Sequence, residues 1–188
     1  RTQWASIISN PYESTAISFD MKKSNLGLGT YLLHTTAGSG KYNATYFTLS
    51  GGYDYKFKSK PHHHIATGLQ LGGIFKSINS NILTFEDQYD PANGGSFMHS
   101  TNETFGATSV FLPEINAGIM YYYTNTNSRI NPFFGASFQH LSQPDESLLN
   151  YVSKLPIKYN FQPGIKVHLN SKFQFLLHGL GMFQKNVN

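Results

Sequence analysis

The feature that most constrains this chain is an alternation of apolar and polar residues with a period of two, repeated along most of its length. Over 44–58 and again over 155–170, one set of alternate positions is aromatic or aliphatic and the other is polar or glycine. Helical periodicity is nearly absent. Because successive strand side chains point to opposite faces, each such segment is a strand with one apolar face. The pattern predicts about eight strands, at 15–21, 27–35, 44–58, 65–75, 112–123, 130–140, 155–170 and 173–183.

Strand length distinguishes a soluble sheet from a membrane barrel. The longest runs exceed the roughly 5–6 residues of a typical soluble strand and reach the ~9–11 that cross a bilayer. Short turns at 59–61, 125–128 and 170–171 alternate with longer polar connections at 79–110 and 143–154. Short turns on one rim and long loops on the other are typical of outer-membrane barrels. The sequence therefore predicts one all-β domain over 1–188, an antiparallel transmembrane β-barrel in the bacterial outer membrane.

Composition supports this interpretation. Of the 188 residues, 39% are hydrophobic, 15% aromatic and 13% charged, against roughly 25% charged in soluble domains. The many aromatics exclude a disordered chain. The chain has no cysteine, which excludes disulfides, cysteine-ligated zinc and a thiol nucleophile. A soluble β-sandwich, with the apolar face as its core, is the alternative that the pattern leaves open.

The net charge of +4 raises the question of nucleic-acid binding. The basic residues are isolated or occur in short turn-like stretches such as 56–60, with Arg129 and Lys154 standing alone. Scattered charges of this kind are usually solvated turns, so we expect no nucleic-acid partner.

Several motifs, taken in order, carry a family resemblance. The segments 1–4, 18–20 and 26–29, the glycine-rich strand 68–73 and the acidic Asp-Pro stretch 86–91 resemble those of the PorP/SprF family. The most specific match is Phe-Gly-x-Ser-x-x-His-Leu at 134–141, which follows the strand 113–122. An Asn-Pro-Ala lead and later strands of the family are missing, and 35–38 lacks an acidic residue. We therefore expect a barrel that is incomplete at both ends, with more strands in the full chain.

The resemblance implies a function. Members of this family are outer-membrane β-barrels of the type IX secretion and gliding machinery in Bacteroidetes-like bacteria. They are associated with export and surface attachment of large adhesins that carry a type B C-terminal domain. The implied partners are such an adhesin or its C-terminal domain, other type IX components and outer-membrane lipid, with no cofactor and no enzymatic activity. The alternatives are a periplasm-facing scaffold for the secretion ring and a passive porin.

Barrel loops carry function more often than the wall does, so the candidate partner-binding residues are apolar side chains of the long connections. They are Tyr89, Phe97, Phe105, Phe111, Leu148, Leu149 and Tyr151.

Two clusters could hold a metal. His62, His63 and His64 are adjacent, but alternate strand residues diverge, so a polar hairpin is the favoured interpretation. Glu86, Asp87 and Asp90, with Asn93, form an oxygen-rich loop that could hold calcium, although the spacing is not that of an EF-hand. A solvated acidic turn is favoured there.

A catalytic site would need a serine beside a histidine. Ser137, His140, Ser142 and Asp145 are close in sequence, but Ser137 and His140 are expected on opposite faces of a strand. No nucleophile-elbow motif is present. The sequence therefore predicts no enzyme.

Overall fold

The protein is described here by a computed structural model covering residues 1–3, 11–38, 42–79, 83–97, 99–102, 107–148, 152–170 and 173–185. It is all-β. The strands are β1 (Thr2–Gln3), β2 (Tyr12–Lys23), β3 (Leu26–Ala37), β4 (Tyr42–Lys56), β5 (His63–Ser77), β6 (Ser109–Tyr123), β7 (Ile130–Gln139), β8 (Lys158–His168), β9 (Gln174–His178) and β10 (Gly181–Gln184). Two 3-10 turns, Glu86–Gln88 and Pro91–Asn93, lie between β5 and β6. Within these ranges we find no helix long and apolar enough to cross a membrane.

The strands form one antiparallel sheet in which each pairs with the next along the chain, from β1 to β8. β9 and β10 pair with successive halves of β8. They act as one interrupted strand, because Gly179 N donates to Pro163 O (3.0 Å) between them. In the described part of the chain, the two ends of the sheet are not hydrogen-bonded to each other.

Connections of two kinds alternate along this sheet. Short turns at 24–25, 57–62, 124–129 and 169–173 lie at one end, which we call the turn rim. Longer connections, chiefly 78–108 and 140–157, lie at the other end, which we call the loop rim. The predicted asymmetry of the two rims is confirmed.

All eight predicted strands are present, with shifted ends. β4 stops at Lys56, because Phe57 N donates to His63 O (3.3 Å) and begins the turn. β8 starts at Lys158 and not near Leu155, whose N–H donates to Pro144 O (2.9 Å) in the preceding loop. Apolar–polar alternation continues after Lys56 and begins before Lys158, which is why the sequence places the end of β4 too late and the start of β8 too early.

Register fixes which side chains share a face, since directly paired residues of antiparallel strands point the same way. Ile17, Leu49, Leu71, Ile115 and Phe134 lie on the outer, convex face, and Ile17 is 67% exposed. In the described strands, every Asp, Glu, Lys and Arg points inward except Glu13 and Lys23, at opposite ends of β2. An apolar outside and a polar inside are the inverse of a soluble domain and match a lipid-facing barrel wall.

The inner face encloses a cavity of about 990 Å³ lined by strands from β2 to β10. Its width comes from a row of glycines in register across four strands, Gly27, Gly52, Gly68 and Gly118. Polar side chains border this row, among them Asp20, Ser50, Gln70, Asn116, Asn160 and Gln162.

Candidate partner-binding loops

In the connection between β7 and β8, residues 144–148 and 152–155 pair as the two arms of a hairpin above the loop rim, which we call the 144–155 hairpin. Glu146 N donates to Ser153 O (2.9 Å), and Asp145 bridges to Lys154. The Asp145 carboxylate also accepts from Ser153 N (2.9 Å) and Ser147 N (3.1 Å). Because these N–H groups stabilise the ionised form, they lower the pKa of Asp145. One exposed carboxylate thus ties both arms of the hairpin together.

This hairpin is fastened to the barrel and to the neighbouring loop. Lys76 Nζ, on the inner face of β5, donates to Glu146 Oε2 (2.8 Å). Ala107 N, at the end of the β5–β6 connection, donates to Leu148 O (3.1 Å). Pro144 is buried at the base of the hairpin. The two long connections therefore form one assembly at the loop rim.

Beneath this assembly the lumen is filled by a small apolar core. Ala44, Ile74 and Leu112 are buried, and they occupy inward positions near the loop-rim ends of β4, β5 and β6. Burial of the hairpin base and of this core leaves the open cavity nearer the middle of the barrel.

A carboxylate–imidazole contact lies beside that core. His140 Nδ1 is 2.7 Å from Glu114 Oε1, and the Glu114 side chain is 5% exposed. His140 has a positive φ of 59°, and its N–H donates to Asn116 Oδ1 (2.9 Å). The left-handed backbone turns its imidazole toward the inner face. The expectation that His140 points to the face opposite Ser137 is therefore wrong, because β7 ends one residue before it.

The β5–β6 connection contains a tightly hydrogen-bonded segment, 85–102. Asp90 Oδ1 accepts from Ala92 N (2.9 Å), Asp90 N donates to Ser96 O (2.8 Å), and His99 Nε2 lies 3.0 Å from Asp90 Oδ2. Asp87 accepts from Asn102 N (2.7 Å) and from Thr101 Oγ1 (2.9 Å). These bonds hold the segment in a defined shape although it lies on the surface.

Two aromatic rings are presented by this segment. The centroids of Tyr89 and Phe97 are 5.3 Å apart, and the residues are 48% and 52% exposed. Gly95, with φ of 78°, lies against the Tyr89 ring and could not carry a side chain there without strain. Large, exposed and fixed aromatic side chains are the type of group that dominates protein interfaces.

The other predicted partner-binding residues fall in different places. Leu148 is half-buried in the hairpin, where its carbonyl joins the two loops. Phe105, Leu149 and Tyr151 lie outside the described residues. Phe111 is not a loop residue, because β6 begins at Ser109, earlier than the alternation suggested. Its ring lies on the outer face of the wall beside Gly73.

Neither cluster considered for metal binding converges in the described ranges, where no group of three His, Asp or Glu residues is arranged to hold an ion. Asp87 and Asp90 use their carboxylates within the loop. His62 Nδ1 lies 3.0 Å from Thr124 O, His63 Nδ1 lies 2.8 Å from Tyr121 Oη, and His64 faces inward.

The serine and histidine residues considered for catalysis are separately engaged. Ser137 Oγ accepts from Asn160 Nδ2 (3.1 Å) across the inner face. Ser142 Oγ donates to Pro113 O (2.5 Å), and His140 is paired with Glu114.

A polar cluster that the sequence did not single out lies inside the turn rim. Asp54 Oδ2 accepts from Tyr122 Oη (2.7 Å), Asp54 Oδ1 lies 3.2 Å from His64 Nδ1, and Lys22 Nζ lies 3.6 Å from the carboxylate. His64 stacks on Tyr122 with ring centroids 4.6 Å apart. Side chains from β2, β5 and β6 therefore converge on one partly buried acceptor in β4. The sequence could have indicated this cluster through the apolar–polar alternation, which places these residues at inward-facing positions of their strands.

The antiparallel sheet, the apolar outer face and the polar lumen define an all-β protein of the outer-membrane barrel type. Over residues 1–187 the chain matches the family described as type IX secretion system membrane protein PorP/SprF, and it belongs to that family. The predicted resemblance is confirmed, and the chain is a type IX secretion membrane component. Searches of curated proteins and of solved structures find no match.

Proposed function

We propose that this protein is an outer-membrane barrel whose loop rim binds a large secreted adhesin carrying a type B C-terminal domain, and anchors it or assists its export. It acts by binding, without making or breaking covalent bonds. The observation that carries the proposal is the Tyr89–Phe97 pair, held exposed on a segment fixed by Asp87 and Asp90. A pre-shaped aromatic surface loses little conformational entropy on binding.

The loop assembly favours this function over that of a passive porin. The 144–155 hairpin is tied to the wall by Lys76 and Glu146, and Leu112 beneath it is fully buried. Water and ions crossing the barrel would have to pass this filled end. We therefore expect low ion conductance in a planar bilayer, and a steady open conductance would favour the porin alternative.

The experiment compares adhesin binding by the full-length protein and by a Tyr89→Ser/Phe97→Ser variant. Binding of the isolated C-terminal domain is measured in detergent, and adhesin retention is measured on intact cells. Loss of two aromatic anchors should weaken binding at least about tenfold. Replacing Leu148, Leu149 and Tyr151 by serine should also reduce retention, without removing the barrel from the membrane.

The matched control removes two exposed apolar side chains from the opposite rim, in Leu169→Ser/Phe173→Ser. It should bind the adhesin as the wild type does. Normal retention by the Tyr89/Phe97 variant would contradict the proposal. Crosslinking distinguishes adhesin binding from the scaffold alternative. A scaffold would be crosslinked to periplasmic partners through Lys58 and Lys60, and 85–102 would not be crosslinked to an adhesin.

A further inference from the structure

The turn rim is a continuous surface because neighbouring turns are hydrogen-bonded to one another. Asp54 N donates to Asn25 O (2.8 Å), which joins the β2–β3 turn to the end of β4. Thr124 N donates to His62 O (2.8 Å), and His168 N donates to Arg129 O (2.8 Å). Residues far apart in sequence therefore lie side by side along one edge of the barrel.

This edge collects basic side chains that are scattered in the sequence. Those exposed on it are Lys22, Lys23, Lys56, Lys58, Lys60 and Arg129. Among the described residues, the acid at this rim is Asp54, which is already engaged by Tyr122, His64 and Lys22. The loop rim is mixed in charge, with acidic residues at Glu13, Glu86, Asp87, Asp90, Asp145 and Glu146 and basic residues at Arg1, Lys76, Lys154, Lys158 and Lys185. Of the described basic residues of the turn rim, Lys22 is the one paired with an acid, Asp54, so the positive charge of the others is not neutralised within the described part of the barrel.

Aromatic side chains set the depth of this rim. Tyr53 and Tyr55 point outward at the end of β4, and Phe57 packs edge-on against Tyr55 with ring centroids 5.1 Å apart. Exposed aromatics of this kind lie at the boundary between hydrocarbon and headgroups. The headgroup layer is about 5–8 Å thick on each side. At about 3.3 Å per residue, Lys58, in the turn three residues beyond Tyr55, falls within it.

The turn also ends within that layer. Lys60 N donates to Phe57 O (3.3 Å) and His63 N donates to Lys60 O (2.9 Å), so the chain reverses immediately after Lys58. The lysines of this turn cannot extend far into the aqueous space. Lipid phosphates lie at their depth, whereas a soluble protein would have to press against the membrane surface to reach them.

We propose that the turn rim binds the phosphate groups of anionic phospholipids in the adjoining leaflet, through Lys23, Lys58, Lys60 and Arg129. Ammonium groups bind phosphate as point charges, and their apolar stems lie along the aromatic girdle. This recruits a shell of anionic lipid to one end of the barrel and fixes its depth in the membrane. The inference is independent of which partner the long loops bind.

The test uses the full-length protein in phosphatidylcholine vesicles containing trace spin-labelled phosphatidylglycerol or phosphatidylcholine. Electron paramagnetic resonance measures how strongly each labelled lipid associates with the protein. The wild type should prefer phosphatidylglycerol, and Lys58→Gln/Lys60→Gln should lower that preference by about fivefold or more, since each surface lysine contributes substantially to binding anionic lipid. Added salt should weaken the wild-type preference, because exposed charges are screened.

The matched control is Lys154→Gln/Lys185→Gln, which removes two exposed lysines from the loop-rim end. It should keep the wild-type preference, and heat-modifiable mobility on gels confirms that each variant is folded. An equal loss in both variants would mean a general effect of net charge and would overturn the proposal. If the wild type showed no preference for phosphatidylglycerol over phosphatidylcholine, the proposal would also be overturned. An acidic protein would then be the partner that fits the basic rim.

Discussion

Lys76 and Glu146 are joined by a 2.8 Å ion pair that connects the inner wall of β5 to the 144–155 hairpin. The lysine side chain is 18% exposed and the glutamate 34%. Such a partly shielded pair links two parts of the chain that are 70 residues apart in sequence. If this contact broke, the hairpin could move and uncover the filled end of the lumen.

Replacing Glu146 by Gln should loosen the hairpin without unfolding the barrel. The change removes a charge from a partly exposed pair, a loss of the order of 1 kcal/mol. Hydrogen–deuterium exchange should therefore accelerate over 144–155 and remain slow in β4–β6. Glu86→Gln, at an exposed loop position, is the control and should leave exchange unchanged. Equal protection in Glu146→Gln and the wild type would mean that the ion pair does not hold the hairpin.

Acid should open the same hairpin through Asp145. The N–H groups of Ser153 and Ser147 lower the pKa of this carboxyl in the folded state. A group with a lowered folded pKa stabilises the fold above its unfolded pKa of about 3.9, and that stabilisation is lost as the pH falls through the folded value. Amide exchange at Ser147 and Ser153, corrected for intrinsic rates, should rise only below about pH 4. In Asp145→Asn, the amides of Ser147 and Ser153 should be less protected from exchange at neutral pH. Their exchange should not rise further below about pH 4, because the titrating carboxyl is gone.

The turn-rim cluster depends on Asp54. Asp54→Ala would leave the Tyr122 hydroxyl and the inward His64 without their acceptor, at a cost of about 1–3 kcal/mol. We expect a lower urea midpoint for unfolding from detergent micelles. Asp54→Asn keeps one oxygen acceptor and should lose less. A midpoint for Asp54→Ala equal to that of the wild type would show that the cluster adds no stability.

Most of the wall could be predicted from the sequence, because alternation reports directly on which side chains point outward and which point inward. The inward positions of Asp54, Gln70 and Asn116 follow from parity alone. The strand ends could not be predicted as well. Phe57 and Leu155 continue the alternation, but their N–H groups bond to His63 and Pro144, so tertiary hydrogen bonds decide where pairing stops.

The site was less predictable for a related reason. His140 has the parity of an outward residue, yet a positive φ turns it to Glu114, and no local pattern announces that backbone conformation. Lys76 and Glu146 are far apart in sequence, so their pairing depends on how the hairpin folds back. Tyr89 and Phe97 were predicted from the sequence as partner-binding loop residues, which remains a prediction, whereas their fixed geometry comes from Asp90 and Gly95.

Two glycines of β5 provide a direct test of how the lumen is built. Both point inward, but a Cβ at Gly68 would lie 3.6 Å from its nearest neighbour, the Gly51 oxygen, whereas one at Gly72 would collide with the Phe47 carbonyl. Gly72→Ala should therefore destabilise the barrel by about 1–3 kcal/mol through overpacking. Gly68→Ala should be neutral or slightly stabilising, because alanine has less freedom in the unfolded chain.

The measurement is the urea midpoint of each refolded variant, with heat-modifiable mobility as a readout of the folded barrel. Equal destabilisation by the two substitutions would mean that the Gly27–Gly52–Gly68–Gly118 row is required for strand pairing itself. The expected difference would mean that the backbone accepts a side chain at Gly68. The missing side chains in this row then serve to keep the lumen wide, while Gly72 is required by the close approach of β4 and β5.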